Sequence, residues 1–133
     1  VRTEEQARDY LHDWAAGHRA RHGFAHWAVE THAGDFVGTA GLLCKEGLPA
    51  PHVGYALLEA QRGRGYAEEA TRAVLGHAHD VLGLRHVCAI VDHDNAASIR
   101  LLEKLGMQRD GDLVLPGLPV LAFYVLRLDV PAD

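Results

Sequence analysis

The apolar positions along this chain change period several times, and each change marks an element. Ala7, Tyr10, Leu11, Trp14 and Ala15 fall on one stripe at helical spacing. Thr3-Glu4-Glu5-Gln6 precedes the stripe, with Thr3 as cap and Gln6 three residues later, as a capping box requires. The spacing predicts a helix from Thr3 that fades by about Gly23. Residues 25–31 then alternate, with Trp27 and Val29 on one face and Ala28 and Glu30 on the other. Gly34-Asp35 is a turn signal, and residues 36–44 read as the return strand of an antiparallel hairpin. A polar loop containing Pro and Gly occupies 46–51.

The second half alternates strands and helices. Residues 52–58 read as a strand, and 59–65 interrupt it with a loop rich in Gly and Arg. A helix over about 65–82 takes its apolar side from Ala67, Ala70, Val74, Leu75 and Ala78, and Gly83 closes it. Residues 85–91 form a β-branched strand, 92–95 a turn, and about 96–105 a second helix stopped by Gly106. Residues 107–115 and 120–128 read as a final antiparallel pair around Pro116-Gly117. The predicted order, α-β-β-β-α-β-α-β-β, specifies an α+β fold: a mixed, mostly antiparallel sheet with helices on its faces. Its one parallel, right-handed crossover is the strand–helix–strand unit at 52–91.

Composition narrows the class of protein. A chain of 133 residues, 48% of them hydrophobic, suits one domain with a packed core. The formal charge of −5 argues against nucleic acid as partner, because phosphate tracking needs a concentrated basic face. One local basic cluster, Arg62, Arg64 and Arg72, is small enough to suit a single phosphorylated ligand. No apolar run approaches the roughly 18 residues of a membrane span, and no signal peptide is visible. Cys44 and Cys88 both sit in apolar strand-like runs, which reads as two reduced core thiols in a cytoplasmic protein. Among the ten histidines, His18 and His22 lie four apart on the first helix, but neither cysteine is near them in sequence. They are therefore expected on the surface, with no metal site.

The segment Gln61-Arg62-Gly63-Arg64-Gly65-Tyr66-Ala67 lies between a strand and a helix. The first amides of a helix have no internal acceptor and carry the positive end of its dipole. A pyrophosphate placed there gains several N–H bonds without a lysine. Gly63 and Gly65 remove the Cβ atoms that would block its approach, while Arg62 and Arg64 add charge. On residue chemistry alone, two glycines making a tight turn explain the loop equally well. Other phosphate loops fit poorly: there is no Gly-Lys-Ser/Thr, and Glu68 stands where the dinucleotide fingerprint calls for Gly or Ala.

The pattern Arg62-x-x-Gly65-x-Ala67 resembles the acetyl-CoA loop of GNAT-superfamily acetyltransferases. The longer string 63–70, Gly-Arg-Gly-Tyr-Ala-Glu-Glu-Ala, is similar to the RimJ/RimL-like branch. So is 95–107, Asn-Ala-Ala-Ser-Ile-Arg-Leu-Leu-Glu-Lys-Leu-Gly-Met, which follows at compatible spacing. The likeness is specific over 53–107 and extends by element order to a single domain over 1–133. The family's usual opening strand and helix have no counterpart before Thr3, so the domain is expected to be N-terminally incomplete.

The resemblance implies acetyl transfer from acetyl-CoA to a primary amine, on a protein N-terminus or a small molecule, by direct attack without a covalent enzyme intermediate. It assigns the pantetheine arm to the main chain of Tyr55, Ala56, Leu57 and Leu58. The pyrophosphate falls to Arg62, Gly63, Arg64, Gly65, Tyr66 and Ala67. Asn95 and Ser98 match positions facing pantetheine and sulfur, and both also suit helix capping. Many members place a tyrosine general acid where this chain has Leu102. Ser98 is then the candidate donor to the departing sulfur. Glu59 and His93, each at a strand end, are the candidate bases, although each also reads as an ordinary polar loop residue. Tyr124 is a candidate for the acceptor pocket or for the core. The rival reading is a non-catalytic acyl-CoA-binding or regulatory module on the same fold. The oligomeric state is open, with a homodimer among the options.

Overall fold

A computed structural model describes residues 3–128. Thr3 caps the first helix as its sequence requires, accepting the Gln6 N–H at 3.1 Å. That helix runs as α1 (Glu4–Tyr10), a π turn (Leu11–Ala15) and α2 (Ala16–His22), and it ends at Gly23 with φ 83°. The strands are β1 (His26–Glu30), β2 (Phe36–Leu43), β3 (His52–Leu57), β4 (His86–Asp92), β5 (Gln108–Leu113) and β6 (Leu121–Arg127). A short 3-10 turn (Glu59–Gln61) follows β3, α3 (Tyr66–Asp80) connects it to β4, and α4 (Ala96–Lys104) lies between β4 and β5. The expected elements are all present, most of them a residue or two shorter at the ends. The π turn was not expected, since nothing in a 3.6-residue stripe marks one.

The six strands form one sheet in the order β1-β2-β3-β4-β6-β5. Neighbours are antiparallel except β3 and β4, the pair joined by the α3 crossover. Successive strand side chains point to opposite faces. Trp27 meets His77 of α3 edge-on with centroids 5.4 Å apart, whereas His26 beside it meets Tyr10 of α1 at 5.9 Å. Hence α3 and the first helix cover opposite faces. Ala40, Leu42, Val53, Val87, Ala89 and Val91 join Val74, Leu75 and Ala78 of α3 in the principal core. Tyr124 also belongs to that core, 3% exposed.

Two expectations about buried and exposed groups fail. Cys88 is buried, but Cys44 is exposed, because β2 ends at Leu43 and the chain leaves the sheet there. His18 is not a surface residue; it is 2% exposed. Its Nδ1 donates to the Phe24 carbonyl (2.7 Å) and its Nε2 accepts the Cys44 amide (3.0 Å). A neutral imidazole with both nitrogens satisfied can be buried at little cost.

The feature that creates the site is how little β3 and β4 pair. They share a single register position, His52 with Cys88, where the Cys88 amide donates to the Pro51 carbonyl at 3.0 Å. Beyond it the strands part, and the edge of β3 that faces β4 is left open.

Candidate active site

A residue in an extended strand aims its N–H and C=O at the same edge, and its neighbour aims at the other. Pro51 bonds toward β4, and Leu58 donates its amide to Val37 on the β2 side at 2.9 Å. Tyr55 and Leu57 therefore present their peptide groups to the open gap. Ala56 and Leu58, assigned by resemblance to the same main-chain role, present theirs to β2.

Two cavities occupy the gap. One, of about 440 Å³, runs from Tyr55, Ala56 and Leu57 past Arg62, Gly63 and Ala67 to Asn95, Ala97, Ser98 and Leu101 of the α4 wall. The other, of about 310 Å³, lies between the strands. It is lined by Val53, Gly54, residues 89–92, Leu102 and Leu121. Tyr55, Asn95 and Ser98 line both.

The loop at the mouth of the larger cavity has an unusual backbone. Gly63 (φ 78°) and Gly65 (φ 84°) both adopt the left-handed conformation, and a Cβ at either would point into open space. Glycine is required here by φ, not by crowding. Gly65 is the N-cap of α3 and makes no side-chain cap bond. Among the described residues no protein acceptor meets the amides of Gly63, Gly65, Tyr66 or Ala67, whereas the turn over Arg62 and Gly63 directs the Arg64 amide back into the loop. The Arg62 amide is different, since it donates to the Glu59 carbonyl at 3.3 Å and closes the 3-10 turn. Four unpaired amides at the start of a 15-residue helix are an anion-binding arrangement. Glu68 in the first turn of α3 would oppose an anion there. Its carboxylate is held by Lys104 (3.0 Å) and Arg72 (3.1 Å), and these two bonds lower its pKa.

The end of α4 is fixed by its cap: Asn95 Oδ1 accepts the Ser98 amide at 3.1 Å. Ser98 Oγ in turn accepts the Tyr55 hydroxyl at 3.0 Å, which joins the two walls of the gap. Burial raises the Tyr55 pKa, against a smaller lowering from the bond to Ser98, so the phenol carries its proton at neutral pH. This side-chain role for Tyr55 has no signal in the sequence, because 43 residues separate the partners.

The acetyltransferase (GNAT) domain family matches residues 1–108. The chain belongs to this GNAT family. It is 32% identical over 134 aligned positions to the uncharacterized N-acetyltransferase YoaA of Bacillus subtilis, covering 97% of this chain and 69% of YoaA. It is 30% identical over 110 positions to YkkB of the same organism, covering 80% of this chain and 63% of YkkB. The chain thus spans about two thirds of the length of these relatives. Among solved structures, a GNAT-family acetyltransferase from Bordetella pertussis superposes with TM-score 0.77 at 27% identity, over 92% of this chain and 77% of that one. The acetyltransferase yncA from Salmonella typhimurium, solved with its cofactor acetyl-CoA, gives TM-score 0.74 at 20% identity, over 96% and 87%. The mixed six-stranded sheet is the GNAT fold.

Around this gap, not every residue named from sequence comes together. Leu102, at the position where many members carry tyrosine, is 3% exposed and lines the smaller cavity with hydrocarbon. Glu59 is exposed in the 3-10 turn and lines neither cavity. His93 lines neither as well; its Nε2 pairs with Asp112 at 3.1 Å, directed toward β5. Arg64, Gly65 and Tyr66 lie outside both linings, with their amides at the mouth. No described helix is long and apolar enough to cross a membrane.

The fold also gathers His18, His22 and Cys44 so that one ligand atom from each lies within 4.8 Å of the others. Sequence distance had separated Cys44 from the two histidines. Zinc requires unprotonated nitrogen lone pairs. In His18 the Nδ1 proton serves Phe24 and the Nε2 lone pair serves the Cys44 amide, so only His22 and Cys44 retain a free ligand atom.

Proposed function

We propose that this protein is an N-acetyltransferase of the RimJ/RimL-like branch that moves an acetyl group from acetyl-CoA to a primary amine by direct attack. The carrying observation is the set of unpaired amides of Gly63, Gly65, Tyr66 and Ala67 beside a cavity that continues into the gap between β3 and β4. The diphosphate of CoA accepts from those amides, with Arg62 and Arg64 adding positive charge. The pantetheine amides pair with the open edge of β3 at Tyr55 and Leu57, and the thioester reaches Ser98. The acetyl-CoA named for the Salmonella neighbour supports this choice of donor.

The chemistry assigned to the chain's own residues is modest. The attacking amine arrives neutral and loses its proton to solvent, because Glu59 and His93 stand outside both cavities. The protein orients the two reactants and supplies hydrogen bonds as charge develops. Ser98 is the donor to the departing sulfur. The acceptor is a protein N-terminus or a small amine.

Leu102 favours one second reading, a non-catalytic acyl-CoA-binding module, since the usual acid is replaced by hydrocarbon. Calorimetry with CoA tests the site, and thiol release from acetyl-CoA with a panel of amines separates the two readings. Binding with release supports the transferase. Binding without release supports the module, and failure to bind CoA removes both.

A further inference from the structure

The acetyl-transfer reading leaves Ser98 with a single proton to give and no named source to replace it. A serine hydroxyl has one proton and two lone pairs. The Tyr55 hydroxyl fills one lone pair at 3.0 Å, and among the described residues no acceptor takes the Ser98 proton. That proton is free to point into the cavities that both residues line. Neither partner is loosely placed. Tyr55 sits on β3, held against Ala40 of β2, and Ser98 sits on the first turn of α4, fixed by the Asn95 cap. The tyrosine that many members carry on the α4 helix is here Leu102, and this chain brings a phenol to the same gap from the opposite wall.

Resting on that reading, we propose that Tyr55 and Ser98 form a two-hydroxyl relay to the departing sulfur, in which Ser98 donates and Tyr55 orients and refills it. The amine lone pair forms the N–C bond, and the carbonyl π pair moves to oxygen. Collapse restores the carbonyl and breaks the C–S bond, whose electron pair goes to sulfur. Sulfur takes the Ser98 proton, Ser98 takes that of Tyr55, and the phenolate recovers one from water. The amine nitrogen gives one proton to water, so the count balances. A thiol titrates near 8.5 and a phenol near 10, so tyrosinate does not accumulate. The relay acts while charge develops on sulfur. Tyr55 works through Ser98 and is a positioning residue in that sense.

The test uses the full chain with acetyl-CoA and a responsive amine from the panel, and it follows thiol release, CoA affinity and melting temperature. Tyr55→Phe and Ser98→Ala are each expected to lower kcat by about 10- to 100-fold, at or below the usual range for general acid catalysis, with KM and CoA affinity changed less than about threefold. The double variant is expected to match Ser98→Ala, because a serial relay breaks only once. Ser98→Thr, which keeps a hydroxyl, is expected to retain activity in the wild-type background and to add nothing to Tyr55→Phe. The wild-type fall of kcat at alkaline pH should vanish in Tyr55→Phe. Multiplicative losses in the double variant, or unchanged kcat in Tyr55→Phe, overturn the relay while leaving the transferase intact. Bound CoA with no thiol release from the wild type overturns both. A melting shift in Tyr55→Phe without a kcat-selective loss assigns Tyr55 to packing and also overturns the relay.

Discussion

Protonation of two partly buried histidines should cost this protein much of its stability in mild acid. His26 and His52 each have a pKa lowered from 6.5 to about 4, mainly by burial. Smaller contributions come from His52 and His18 at His26, and from Lys45 and His18 at His52. Both imidazoles are therefore neutral in the fold but charged in the unfolded chain below about pH 6.5. The unfolded state binds more protons between the two pKa values, so stability is fully present above 6.5 and falls as pH drops toward 4. Between pH 7.5 and 5.5 each histidine loses roughly 1 kcal/mol, and the pair roughly 2–3 kcal/mol. For a domain of this size that corresponds to a melting temperature lower by about 10 °C. The window lies above the carboxylate range, so acidic side chains contribute little to it. Calorimetric melting at the two pH values, on wild type and on His26→Gln/His52→Gln, is the assay. The double variant should show a much flatter pH dependence. A wild-type change under about 2 °C, or an undiminished change in the variant, would refute the argument. The consequence reaches the site, because His26 Nε2 lies 3.2 Å from where a Cβ of Gly54 would stand, and Gly54 lines the smaller cavity.

Four further outcomes are expected. Gly65→Ala, at φ 84°, should destabilise by about 1–2 kcal/mol and weaken CoA binding in calorimetry. Gly76→Ala, inside α3 with nothing near its Cβ position, should instead stabilise by up to about 1 kcal/mol and leave binding unchanged. Glu59→Gln and His93→Ala should each leave kcat/KM within about threefold; a loss above 100-fold in either would identify a base that the cavities do not reveal. His18→Leu should cost about 2–4 kcal/mol in denaturant unfolding, because it strands the Cys44 amide and the Phe24 carbonyl.

Local rules set much of this protein. The Thr3 cap, the Trp27/Val29 alternation, the apolar side of α3 and the glycines that bound the helices all depend on neighbours within a few residues. They are legible in sequence because backbone sterics and side-chain period act at that range. The phosphate-type loop was legible for the same reason: a left-handed glycine before a helix is a local demand. Its free amides follow from being the first turn of that helix.

What required the tertiary structure is whatever depends on two distant segments meeting. The sheet places β6 between β4 and β5, and β3 pairs with β4 at one position only, so the gap exists because of long-range register. Tyr55 read as a main-chain contributor until α4 brought Ser98 to its hydroxyl. His18 read as a surface residue until the Phe24 carbonyl and the Cys44 amide satisfied its ring. The sequence determined which backbone shapes form and in what order. Packing alone decided which polar side chains face one another, since their energies depend on burial and partner, neither of which a local pattern contains.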